Sequence, residues 1–291
     1  MQLTYSFDDR PALSVDPAAP AAGYGRFYAK SWAGRTMPFW KGPSGVSYGL
    51  SPHLGENNVR VWRGGATAVA TTFAATIGAM PYTGASPTAP TIPALTAAGG
   101  VQTATYRSTI STGATAGGLA YIRGNQATVF RSASAGLGSF LVVHRFSLSG
   151  TLQAGLRAFA GLVDVTANPT NVNPTTTTTP GGIGLACAAN TGNWKLVSNV
   201  TGTARTATDL GASFPVDNTS LLELALWCAP NDSGISWQVT NLSTGATASG
   251  KVTTNLPAAN TFMAPAVWVT NNATAAAQTL DFVSTYVETD T

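Results

Sequence analysis

Ionisable side chains are scarce in this sequence. Fifteen Lys/Arg and twelve Asp/Glu make up 9% of 291 residues, against about 25% in an ordinary globular domain. A helix in water wets its outer face with Glu, Lys and Arg, and a largely helical protein cannot be furnished from this supply. Polarity comes instead from Thr, Ser and Asn, while 31 Gly and 17 Pro interrupt the chain. Thr fits the pleated strand, and Gly and Pro make the turns between short strands. Hydrophobic residues are 44% of the total, enough for the core of one large or two smaller domains. The expectation is an all-β protein.

Strand signals become regular after Thr105. Residues 139–148 place Phe140, Val142, His144 and Phe146 on one face. Residues 156–165 and 182–189 are continuous apolar runs, and a turn at Asn190 to Asn193 leads into residues 194–200. Leu222, Leu224, Leu226 and Cys228 alternate with Glu223 on the opposite side. Ile235, Trp237 and Val239 alternate with Ser236, Gln238 and Thr240. Further strands are expected after Gly245, at 266–270 and at 279–288. Short strands at this pitch, without helical periodicity, predict two packed antiparallel sheets in a jelly-roll sandwich over 105–291. Between Asp164 and Gly181 lies a long connection with Pro169, Pro174 and five consecutive threonines. It is too polar to be buried, and loops at the end of a sandwich are common places for recognition.

The first part of the chain reads differently. Residues 1–23 offer no periodic face and suggest an extended arm. Residues 24–65 interleave aromatics with Gly and Pro, as in a small irregular β module that packs on a partner, with short strands at 24–30 and 59–63. Residues 66–104, rich in Ala, Thr and Pro, read as a connector or first strands, with a strand possible near 71–77. Residues 1–157 hold 12 Lys/Arg and 4 Asp/Glu (+8), and residues 158–291 hold 3 and 8 (−5). This asymmetry fits a basic N-terminal module docking on an acidic surface, or simply solvated loop charge. The bases are spread singly, which argues against nucleic acid. Met1 to Arg10 contains Asp8 and Asp9 and no apolar stretch, and no membrane-spanning run follows, so synthesis in a cytoplasm without membrane insertion is expected. Cys187 and Cys228 lie in apolar runs, where buried free thiols are favoured over a disulfide.

Catalytic equipment is thin. The two histidines are His53, in a turn, and His144, on an apolar strand face and so a core residue. Glycoside hydrolysis needs two carboxylates about 5–9.5 Å apart, whereas Glu223 stands alone on its strand and Asp164, Asp209 and Asp232 are scattered. No spacing suits zinc or calcium. The expectation is a protein without enzymatic activity, metal or cofactor. For sugar recognition, the candidates are Asn190, Asn193, Trp194, Asn231, Asp232, Asn271 and Asn272, because amides bond hydroxyls and an indole stacks on a pyranose. For Trp194 alone, core packing is the favoured alternative.

Two stretches resemble known families. Tyr28-Ala29-Lys30, Gly34-Arg35, Pro38, Gly42-Pro43-Ser44-Gly45 and Pro52-His53-Leu54 are similar to the N-terminal module of tailed-bacteriophage tail fibre and tail-associated structural proteins. Gly155 to Leu162, Gly182 to Leu185, Asn193-Trp194 and the strands around Glu223 and Trp237 resemble a concanavalin A-like, lectin-type sandwich. The resemblance implies a virion component assembled in the bacterial cytoplasm. Its residues 1–65 would anchor to other virion proteins through the positions just quoted, and its sandwich would face outward. It also implies a homotrimer. Two readings stay open: a receptor-binding tail fibre contacting host surface polysaccharide, or a non-adhesive subunit of head, collar or baseplate.

Overall fold

The computed structural model describes residues 12–32, 35–43, 45, 47–49, 58–63, 72–77, 80–96, 100–132, 138–229 and 232–289. The chain divides into two compact units, Met1–Glu56 and Asn57–Thr291. The first holds a three-stranded antiparallel sheet of β1 (Arg26–Trp32), β2 (Arg35–Lys41) and β3 (Ser47–Gly49). Its small core is Tyr28, Met37 and Phe39, with the Tyr28 and Phe39 rings stacked at 5.7 Å.

The second unit is a sandwich of two eight-stranded antiparallel sheets. In chain order it begins with β4 (Asn58–Arg63), β5 (Thr72–Ile77), β6 (Met80–Ala85) and β7 (Thr88–Thr91). A single helical turn, α1 (Val101–Ala104), precedes β8 (Ser108–Ser111), β9 (Leu119–Gly124) and β10 (Phe140–Ser149). Then come β11 (Arg157–Val163), β12 (Gly182–Cys187), β13 (Lys195–Asn199) and β14 (Thr206–Asp209). The last are β15 (Leu222–Cys228), β16 (Ile235–Asn241), β17 (Thr247–Val252), β18 (Ala264–Thr270) and β19 (Thr279–Thr289). The first sheet has the order β17-β16-β15-β10-β19-β8-β7, with β4 also on β19. The second has the order β14-β13-β12-β11-β18-β9-β6-β5. The chain passes from sheet to sheet as it runs, which makes the sandwich a jelly roll.

The sandwich starts earlier in the chain than the expected 105. β4 pairs Asn58–Arg63 with the second half of β19, beyond the point where β8 leaves it, and β5, β6 and β7 extend the sheets. The compact units divide after Glu56, and of the connector or first strands expected over 66–104, the described residues include strands β5, β6 and β7, β5 falling at 71–77. Pro90 is accommodated on the edge strand β7 and Pro81 near the start of β6, positions that leave the ladders intact.

Between the sheets, alternation delivers the expected core. Leu222, Leu224, Leu226 and Cys228 of β15 share it with Ile183, Leu185 and Cys187 of β12 and with Phe140, Val142 and Phe146 of β10. Each large side chain buried here contributes about 1.5–3 kcal/mol. Both cysteines are buried thiols outside any disulfide, and burial pushes the Cys187 thiol up to about 12. His144 is fully buried. Its Nε2 lies 3.2 Å from Gly161 O, which can only accept, so Nε2 carries the proton and Nδ1 accepts from Thr285 Oγ1 at 2.8 Å. Burial lowers its pKa to about 4, keeping it neutral.

Candidate binding face

Successive side chains of a strand point to opposite sides, so the residues the core does not take build the outer faces. On the second sheet, register aligns them in rows. One row runs Tyr121, Trp268, Phe159 and Ala186 across β9, β18, β11 and β12. The next runs Arg123, Ala266, Gly161, Gly184 and Val197. This face is apolar enough to form a second hydrophobic cluster with Val163. Phe159 and Trp268 stack at 4.1 Å with 22° between their planes. The small residues of the second row leave room beside them. A Cβ on Gly184 would sit 2.8 Å from Phe159 Cζ, so no larger side chain fits under that ring.

The connection 164–181 folds over this face and is tied down by it. The Arg205 guanidinium lies 4.8 Å from the Phe159 ring centre and donates to Asn199 Oδ1 (3.1 Å), Pro174 O (2.7 Å) and Pro180 O (3.2 Å). Burial lowers the Arg205 pKa to about 10, with Asp164 opposing the shift, so it stays charged at neutral pH. Asn199 Nδ2 donates to Thr178 O at 3.1 Å. At the root of the loop, Asp164 Oδ2 accepts from Thr201 Oγ1 at 2.6 Å. At its far side, Arg123 donates from Nε (3.0 Å) and Nη2 (2.8 Å) to Asn168 Oδ1. Within it, Asn173 Oδ1 accepts from the backbone N–H and the hydroxyl of Thr175, an Asx turn. The long threonine run is a fastened cover.

Under the cover lies a pocket of about 220 Å³. Val163, Ala266 and Trp268 of the sheet meet Val165, Val172 and Pro180 of the loop there, with Asn168 and Thr170 as polar members. Trp268 is only 1% exposed, and its indole N–H has no hydrogen-bond partner. A buried donor left in this state costs about 1–3 kcal/mol.

The residues singled out for sugar recognition do not converge on this pocket. Trp194 is 2% exposed and packs edge-on against Phe146 at 5.4 Å, so its faces belong to the core. Asn271 is fully buried, and its Nδ2 donates to Thr115 O at 2.9 Å and Ala276 O at 3.1 Å, holding two loops together. Asn190 donates to Leu152 O and Asn193 to Asp209 Oδ1. The backbone N–H of Asn272, which has a φ of 51°, donates to Thr270 Oγ1. These five lie at the end of the sandwich where β10, β12 and β18 finish. Asp232 is at the opposite end, where burial works against its ionisation but Lys251 at 2.7 Å and the Gly234 N–H hold its carboxyl below the usual range. Asn231 is outside the described residues.

The other acids are equally engaged. Glu223 faces outward on the first sheet and accepts from Arg145 Nε at 2.6 Å, while Asp164 belongs to the second sheet's loop. Among the described residues no three His, Cys, Asp or Glu side chains group as a metal site would need. No helix among them is long and apolar enough to cross a membrane.

In the N-terminal unit, several expected anchor positions come together. Asp16 accepts from Tyr28 (3.1 Å) and Ser47 (2.8 Å) and pairs with Lys30 (2.7 Å). Gly42, Pro43 and Gly45 form a turn closed by the Gly45 N–H on Gly42 O, and Pro38 and Arg35 lie in β2. Gly34, Pro52 and Leu54 are outside the described residues. Phe27 and Trp40, paired across β1 and β2, are 61% and 44% exposed.

No protein-family model matches the chain, and no curated protein matches it. Among solved structures it is similar to a protein of unknown function from Shewanella oneidensis, at 10% identity and a TM-score of 0.49, over 79% of this chain and 85% of that one. It is also similar to peanut lectin, at 9% identity and a TM-score of 0.46, over 80% and 97%. A carbohydrate esterase of the Shiga toxin-encoding bacteriophage phi24B matches at 17% identity and a TM-score of 0.43, over 72% and 90%.

Sequence reasoning missed Phe159, Trp268 and Arg205. A signal for the first two was present. The runs 157–163 and 264–270 are apolar at nearly every position, and a strand with apolar residues on both sides is covered on both sides.

Proposed function

We propose that this chain is a bacteriophage virion structural protein whose sandwich binds host cell-surface glycan through the loop-covered outer face of the second sheet. The observation that carries the binding part is the pocket that Val163, Ala266 and Trp268 form beneath a fastened loop. The virion part rests on the sequence resemblance of residues 28–54. It is supported by the exposed Phe27 and Trp40, which suit docking on another virion protein. The reading is of a binder and not a catalyst, since Glu223, Asp209 and Asp232 are each committed to a separate local partner. Homotrimeric assembly goes with it, and sedimentation of the purified protein measures that directly.

Binding of the labelled protein to host cells and to extracted host polysaccharide tests the adhesive reading. Saturable binding that Trp268→Ala abolishes is the expected result. Absence of binding across every host that the phage infects would leave a head, collar or baseplate subunit, to which immunogold labelling of whole particles would then assign a position.

A further inference from the structure

Resting on the reading that glycan binds beneath the cover, we infer that residues 165–170 are a gate over the pocket. The hydrogen bond from Arg123 to Asn168 is its latch, and it opens while the rest of the loop stays down.

The cover is fastened unevenly along its length. In its second half, Asn173 O accepts from the N–H groups of Thr176 (3.3 Å) and Thr177 (2.9 Å), and Thr178 O accepts from the Gly202 N–H at 2.9 Å. The Gly181 N–H donates to Thr201 Oγ1 at 2.8 Å, and the buried Arg205 holds Pro174 O and Pro180 O. The first half has little of this. Among the described residues, no backbone N–H of 165–170 donates to another backbone group. The side-chain hydrogen bond that ties this segment to the sheet is the one from Arg123 to Asn168 Oδ1. Fixed points bound the segment on either side. At one end the Asp164 N–H donates to Gly181 O at 3.0 Å. At the other, the buried Thr270 donates from Oγ1 to Asn171 Oδ1, and the Asx turn at Asn173 follows. A stretch poor in backbone hydrogen bonds between two held ends is the kind that opens locally.

The latch sits at the edge of the pocket. Arg123 is the register partner of Ala266, which lines it, and Arg123 Nη1 is held by Gly124 O (3.2 Å) and Asn125 Oδ1 (3.3 Å). The donor therefore stays on the sheet, while Asn168 is exposed and water competes for its oxygen. Val165, Ala167, Asn168, Pro169 and Thr170 all line the pocket, so moving the segment removes one wall and leaves Val163, Ala266 and Trp268 in place. Opening also frees Arg123 Nε–H and the Asn168 amide beside that apolar floor. A few polar groups at the rim of an apolar surface are what a sugar, with its hydroxyls and C–H faces, requires.

The test uses the full chain and needs no glycan. Ala266→Cys puts a thiol on the pocket floor, and its rate of reaction with dithiodipyridine, an uncharged reagent, reads the opening of the gate. The buried core thiols Cys187 and Cys228 serve as the control for global unfolding. Adding Arg123→Met, which removes the latch, should speed the reaction by about three- to ten-fold, as loss of one such hydrogen bond implies, with the core thiols unchanged. Asn168→Asp keeps the acceptor and adds a charge, so it should slow the reaction by about two- to five-fold at low salt and lose that effect at high salt. Should Ala266→Cys fold poorly, amide relaxation dispersion on the chain without it gives the same answer. Exchange broadening should then be confined to 165–170, absent from 176–181, and altered by Arg123→Met. Thiol rates indifferent to both latch variants, or no broadening at 165–170 in any of them, would overturn the gate even where host polysaccharide binds this face. Polysaccharide association rates that rank Arg123→Met above the unaltered chain and Asn168→Asp below it would support the gating of ligand, and rates indifferent to the latch would overturn it. Binding of no polysaccharide, with the thiol rates ordered as expected, would overturn the glycan reading and the gate's part in it, leaving only the motion.

Discussion

The two sheets of the sandwich share one core but turn unlike faces outward. On the first sheet, Arg145, Glu223, Gln238, Thr240 and Ser284 stand on the outer side beside Leu141, Ala225 and Trp227. On the second, Tyr121, Trp268, Phe159, Val163 and Ala266 make an apolar and aromatic surface, with a loop tied across it. A sheet that only had to close a core would need one apolar side. The second sheet has two, and in a chain with so little charge that is a deliberate use of residues. The difference is one of cover: on the first face Arg145 pairs with Glu223 while Leu141, Ala225, Trp227 and Glu288 are buried beside them, and on the second a loop closes a pocket over the apolar rows.

The contrast can be broken by substitution. Phe159→Ala should have the largest effect, about 3–5 kcal/mol of unfolding free energy in denaturant titration, because the ring is fully buried between Trp268 and Arg205. A loss below about 1 kcal/mol would mean that the outer cluster is not a packed second core.

Acid probes the junction of the sheets. His144 on the first sheet is bonded to Gly161 of the second and is held neutral, its pKa lowered to about 4 by burial. The unfolded chain takes up this proton near pH 6.5 and the folded one only near 4, so protons bind to the unfolded state first as pH falls. Stability should therefore be full above pH 6.5 and decline by about 3 kcal/mol down to pH 4. A flat profile across that window, once carboxylate effects are matched with His144→Gln, would contradict the assignment.

Arg205→Met should come next, at about 2–3 kcal/mol, since it orphans the carbonyls of Pro174 and Pro180. Faster hydrogen exchange should be confined to the cover, residues 170–181. On the other face, Glu223→Gln should change stability by no more than about 1 kcal/mol, as expected for a partly exposed pair with Arg145, and should leave any glycan binding unchanged.

Much of this architecture was legible before any coordinates. The alternation in Leu222 to Cys228 and the burial of His144 follow from strand periodicity, and both were read correctly because each depends on neighbours along one strand. The candidate site was not legible for the complementary reason. Trp268 meets Phe159 only through the pairing of β18 with β11, and Arg205 reaches the same ring from a turn. No local pattern encodes which strands become neighbours. Asn190, Asn193 and Asn271 looked like recognition residues because amides often serve that role. In the folded chain Asn190 donates to Leu152 O, Asn193 to Asp209 Oδ1 and the buried Asn271 to Thr115 O, partners that spacing does not reveal. Of the early strands, β4 and β5 lie where 59–63 and 71–77 were expected to be extended, while β6 and β7 were obscured by Pro81 and Pro90, which mimic a connector unless the strand lies at an edge or its proline lies at its end.

The central claim is that the loop-covered face of the second sheet is where ligand binds, and chemical-shift mapping of the sandwich with host-derived oligosaccharide tests it most directly. The account predicts perturbed amides in residues 163–172 and 266–268, together with the Trp268 indole. Perturbation confined to Asn190, Asn193 and Asn272 at the far end, or to the outer face around Glu223, would contradict it.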